Sequence, residues 1–69
     1  MKKVLYRALV NGQQTYNLPK ELPIPRNGDF IFINEYPLKS EIVCQVNYVS
    51  YHLDSKGKLI TITVKCTKV

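Results

Sequence analysis

The sequence predicts an all-β fold, a small five-stranded antiparallel meander curled into a partly open barrel. Three observations predict it. Ile60, Ile62, Val64 and Cys66 alternate with Thr61, Thr63, Lys65 and Thr67, the period-two pattern of a half-buried strand. Asn11-Gly12 and Asp54-Ser55-Lys56-Gly57 divide β-prone runs with turn chemistry. No stretch of the chain needs a helix. The 69 residues permit one domain, 1–69, with one core. A domain this small hides only about 60% of the surface its unfolded chain exposes, so marginal stability is expected.

Strands are expected near 3–10, 13–18, 29–34, 41–53 and 58–67. Val4–Val10 ends at Asn11-Gly12, the strongest two-residue hairpin signal, because both positions tolerate positive φ. A two-residue register sets Val10 against Gln13 and Arg7 against Tyr16. Leu5, Leu9, Tyr16 and Leu18 then share one face; Val4, Tyr6, Ala8 and Val10 share the other. Both faces are partly apolar, so the hairpin is either sandwiched or a contact surface.

Pro19, Pro23 and Pro25 follow, and a residue without an amide donor cannot sit in a central strand. This segment reads as an extended loop closed by a turn at Arg26-Asn27-Gly28-Asp29. Phe30–Ile33 is apolar on both faces, which suits a central strand buried on both sides. Asn34–Pro37 turns the chain again.

The surest element is the long hairpin of Glu41–Leu53 and Lys58–Thr67. In its first strand Ile42, Cys44, Val46 and Tyr48 hold one parity, and then Val49, Tyr51 and Leu53 hold the other. Side chains alternate strictly along a strand. The slip therefore means either a bulge near Asn47–Val49 or a regular strand whose halves bury opposite faces. The second strand reads as half-buried, with an outer Thr/Lys face. An early strand, a long irregular loop and consecutive hairpins resemble small Src-homology-3-type barrels. That family's acidic loop motif and paired tryptophans are absent, and the chain has no Trp, so the resemblance implies a fold and no site residue.

The chemistry-bearing residues are few. Cys44 and Cys66 sit on the apolar parity and are expected close together as free thiols. Two cysteines and one His make no zinc site, and no cofactor or metal is expected. Ser50, His52 and Asp54 share a parity that imitates a hydrolase triad, but same-side neighbours on a strand stand about 6.5–7 Å apart. A triad also needs an oxyanion hole and a pocket. Gly12, Gly28 and Gly57 read as turn glycines rather than a phosphate loop. The chain is therefore expected not to be an enzyme and to have no small-molecule substrate.

The net charge of +5 favours a polyanion or acidic surface only weakly, because eight of the ten basic residues are Lys. No segment approaches the length of a membrane span, and the N-terminal apolar run breaks at Tyr6-Arg7. No membrane association and a cytoplasmic location are expected. The Lys, Asn, Ile and Tyr usage is associated with AT-rich bacterial or phage genomes. The leading expectation is a binding module for another protein, or for itself, working through a sheet edge and an exposed Tyr/Lys surface. Its candidate contacts are Tyr6, Tyr16, Tyr36, Arg7 and Arg26. The alternatives are sequence-tolerant nucleic-acid binding by Lys58, Thr61, Thr63, Lys65 and Lys68, and a structural part of a phage particle.

Overall fold

The computed structural model describes residues 4–35 and 40–69. Five strands follow in order: β1 (Leu5–Val10), β2 (Gln14–Asn17), β3 (Phe30–Glu35), β4 (Ser40–Leu53) and β5 (Leu59–Lys68). No helix occurs among the described residues. The strands form one sheet that curls through 205° into an open half-barrel, consistent with a small Src-homology-3-like barrel.

The sheet is mixed, which corrects the expected antiparallel meander. Its order is β2-β1-β5-β4-β3, and β1 runs parallel to β5, from Leu5 opposite Thr61 to Val10 opposite Cys66. The Pro-rich connection carries the chain from one sheet edge to the other, so β2 and β3 do not pair. Parallel neighbours need a long crossover, and here everything between β1 and β5 serves as one. The result makes β5 a central strand and leaves β2 and β3 as edges.

Inside the curl lies the core. Tyr6, Ala8 and Val10 of β1 share this face with Ile62, Val64 and Cys66 of β5 and with Ile42, Cys44 and Val46 of β4. Each fully buried Val contributes roughly 1.5–3 kcal/mol. Tyr16 and Leu18 pack against the same cluster, which corrects the expected register of the first hairpin. Asn11 and Gly12 both take positive φ, 54° and 68°, and Gln13 N–H bonds Val10 C=O at 3.1 Å, so the Asn-Gly turn forms. Gln13 is then left over, and pairing resumes with Val10 opposite Gln14 and Ala8 opposite Tyr16. That single extra residue moves Tyr16 onto the core face. Asn11 is also tied to β5: its N–H bonds Cys66 C=O at 3.0 Å, and its Oδ1 accepts Lys68 N–H at 2.9 Å.

The long hairpin closes as expected. Gly57 N–H bonds Asp54 C=O at 3.0 Å, Asp54 N–H bonds Lys58 C=O at 2.8 Å, and Gly57 has φ 83°. Asp54 Oδ1 accepts the N–H groups of Lys56 and Lys58 at 2.8 and 2.9 Å, which pins the turn. The parity slip is a bulge. Val46 faces Cys66 and Tyr48 faces Lys65, leaving Asn47 unpaired, so Val49 and Tyr51 return to the core side opposite Val64 and Ile62. A second shift between His52 and Leu53 leaves Ile60 unpaired and 45% exposed, outside the buried row that sequence alternation assigns it.

Two further expectations change. Thr61 and Thr63 are buried, at 8% and 3% exposure, rather than on a solvated outer face. Because β5 is central, side chains of both neighbouring strands flank them, Leu5 and His52 beside Thr61, Arg7 and Ser50 beside Thr63. Phe30–Ile33 is not a central strand buried on both sides. β3 pairs only with β4, and Phe30 and Phe32 on its outer face are 54% and 60% exposed. A short apolar run is compatible with centre or edge, and the connection delivers this one to an edge.

Candidate functional site

The two free edges of the half-barrel face a groove of about 730 Å³. One wall is β3, the other is formed by Tyr16 and Leu18 at the end of β2, and the Leu22–Pro25 part of the Pro-rich connection lies between them. Local bonds give that connection its shape. Leu22 N–H bonds Pro19 C=O at 3.1 Å, and Asp29 N–H bonds Arg26 C=O at 3.0 Å, with Gly28 at φ 95°. Tyr6 holds the middle of the segment from below by donating its hydroxyl to Pro23 C=O at 3.3 Å. The last turn then enters β3 through a bulge in which Val46 accepts from Gly28 N–H and donates to Asp29 C=O, both at 2.8 Å.

The contact candidates do not gather on one surface. Tyr6 lies in the core, where burial and then Tyr51 push its phenol above the ordinary tyrosine range. Tyr16 is half-buried at the groove, and its hydroxyl donates to Gln14 Oε1 at 3.1 Å. Arg26 is exposed in the turn beside the groove. Arg7 is half-buried on the opposite, outer face of the sheet. Tyr36 lies outside the described residues. Phe30 and Phe32, which sequence alternation does not single out, are the exposed aromatics of this edge. Their signal was an apolar run with turn residues on both flanks.

The nucleic-acid candidates separate as well. Thr61 and Thr63 are buried, and Lys58 and Lys68 lie ten residues apart along the chain, about 33 Å at the rise of a strand. Lys65 is half-buried, with its Nζ 5.5 Å from the centre of the Tyr48 ring.

Cys44 and Cys66 are free, buried thiols, and Cys66 Sγ donates to Val64 C=O at 3.5 Å. Cys66 faces Val46, while Cys44 faces Lys68, one step along the ladder. Burial, and then the neighbouring Cys44, push the Cys66 thiol up to about 11. Burial also raises Cys44, and the Lys68 ammonium partly offsets it. Ser50, His52 and Asp54 are not wired as a triad, since Ser50 Oγ has no partner and Asp54 Oδ1 is occupied by two backbone amides. Among the described residues no cluster of His, Cys, Asp or Glu could hold a metal ion, and no helix is long and apolar enough to cross a membrane.

No family model, curated protein or solved structure matches this chain.

Proposed function

We propose that this chain is a protein-binding module whose contact element is the open edge of β3. One observation carries the reading: a strand paired on one side only presents Phe30 and Phe32, each more than half exposed. Natural edge strands are usually blunted by Lys, Pro or a covering segment, because open backbone groups and apolar side chains invite another chain. The Phe-Ile-Phe-Ile run of β3 contains neither Lys nor Pro. Large aromatics are also the residues enriched at interface centres.

The test is affinity capture from the source cells with nuclease present, comparing wild type with Phe30→Lys and Phe32→Lys. Circular dichroism reports whether each variant folds, and light scattering follows self-association. The reading expects a protein partner, or a second copy, held by wild type and lost from both variants. Identical capture by all three chains overturns it.

One observation favours a second reading, nucleic-acid binding on the outer face: Lys65 stacks on Tyr48 there, one row from Arg7. That reading requires affinity for single-stranded DNA or RNA that falls steeply as salt rises.

A further inference from the structure

The backbone of β3 has a definite direction of supply. Asp29 C=O points toward β4, where it accepts Val46 N–H at 2.8 Å. In a trans peptide the N–H of the next residue points the opposite way, so Phe30 N–H is directed away from β4. Strand alternation carries the pattern on, and Phe30, Phe32 and Asn34 direct both N–H and C=O away from the sheet.

The groove receives those groups. Its β3 wall consists of four successive residues, Phe30 to Ile33. Successive side chains of a strand point to opposite faces, so a groove touching all four runs along the strand's edge and not against either face. The volume of about 730 Å³ lies within the usual range of ligand sites. The sheet covers 205° of the circle, and the remaining arc is shared by this slot and the Pro-rich connection.

We propose that this slot takes an extended, uncharged segment of a partner protein, which pairs with β3 as a sixth strand of the half-barrel. The proposal rests on the reading of β3 as the contact edge. Charge decides the chemistry of the segment. Among the described residues Asp29 is the one charged side chain lining the groove, and its Oδ2 accepts Arg26 N–H at 2.8 Å. Beyond Asp29, at the end of the slot, a charged residue set against Phe30–Ile33 would meet only uncharged side chains among the described lining residues. A proline at a position facing β3 could not donate to it. The segment is therefore free of charge and of proline across its centre, with apolar side chains alternating toward Ile31 and Ile33 on one side and Phe30 and Phe32 on the other. A second copy of the chain fits less well. Its β3 would bring β4 and its own connection with it, and both would have to fit beside Tyr16 and the Leu22–Pro25 segment that line the same groove.

The test uses the whole chain and a displayed library of random heptapeptides as the probe. Enriched peptides are synthesised, and their affinity is measured by fluorescence anisotropy. The expected peptides lack charge and proline at their central positions, and they shift the amide resonances of Phe30, Phe32 and Asn34. N-methylation of the peptide at alternate positions is the discriminating readout. One set of alternate amides should weaken binding about tenfold per site, the scale of one strand hydrogen bond, and the other set should change it little. Equal loss at every position overturns strand addition, as does the absence of any enriched peptide. If Phe32→Lys abolishes partner capture while no peptide binds, the edge remains the contact and its occupant is a folded surface or a second copy. If capture is also unaffected by Phe30→Lys and Phe32→Lys, the edge reading falls too.

Discussion

Ser50 and Thr63 face each other across β4 and β5, and neither hydroxyl has a hydrogen-bond partner although both oxygens are buried. A hydroxyl buried without a partner costs roughly 1–3 kcal/mol, whereas an apolar group of the same shape carries no such penalty. Val is the isosteric replacement for Thr and has similar strand preference. Thr63→Val should therefore stabilise the fold by about 1 kcal/mol. Urea denaturation of the two proteins checks this, and a loss of stability would mean that the hydroxyl is satisfied in solution.

Asn47 is the residue that lets one strand bury a single face. It is unpaired in the ladder, and its Nδ2 donates to Thr67 Oγ1 at 2.6 Å. Asn47→Ala removes one exposed side-chain hydrogen bond and should cost no more than about 1 kcal/mol. Deleting Asn47 instead turns Val49 and Tyr51 to the outer face, because a one-residue slip inverts every side chain beyond it. The deletion should abolish cooperative thermal unfolding, while Asn47→Ala keeps it. A deletion variant that melts cooperatively near the wild-type temperature would show that the bulge is dispensable.

Asn11 combines a left-handed backbone with a cross-sheet clamp. Its φ is 54°, and its Oδ1 holds the Lys68 amide. Asn11→Gly keeps the backbone and loses the clamp, so it should cost about 1 kcal/mol. Asn11→Ala loses both and should cost about 1–2 kcal/mol more. The ordering of the two variants in chemical denaturation is the check. Equal losses would assign the whole effect to the clamp.

Alkaline pH should weaken the fold through Cys66. Its thiol is held up to about 11 in the folded chain, above the ordinary value of 9.0. Between these values the folded state keeps a proton that the unfolded state has released, so stability falls as pH rises. The contribution is complete below pH 9 and is lost through about pH 11, at most about 3 kcal/mol. Tyr6, also raised by burial, adds a loss of the same sign above its ordinary value of 10.0. Denaturation midpoints of wild type and Cys66→Ala measured from pH 7 upward provide the test. Cys66→Ala should begin less stable and decline less steeply between pH 9 and 11.

Much of the local structure was legible in the residues. The turns at Asn11-Gly12, Arg26–Asp29 and Asp54–Gly57 depend on positive φ and short side-chain bonds, and these are written in neighbouring positions. The break in alternation at Asn47–Val49 was legible too, as either a bulge or a two-sided strand, and the ladder decides for the bulge. The candidate edge was hardly legible. Phe30 and Phe32 carry the same signal whether their strand is central or terminal, and Tyr6 and Tyr16, expected as contacts, pack in or against the core.

The sequence by itself determined five strands and their turns, because side-chain period and backbone φ are local properties. The tertiary structure alone decided which strands lie side by side. The parallel pairing of β1 with β5 joins opposite ends of the chain, and no local pattern encodes it. That one pairing makes β5 central, buries Thr61 and Thr63, and leaves β2 and β3 as the open edges on either side of the groove.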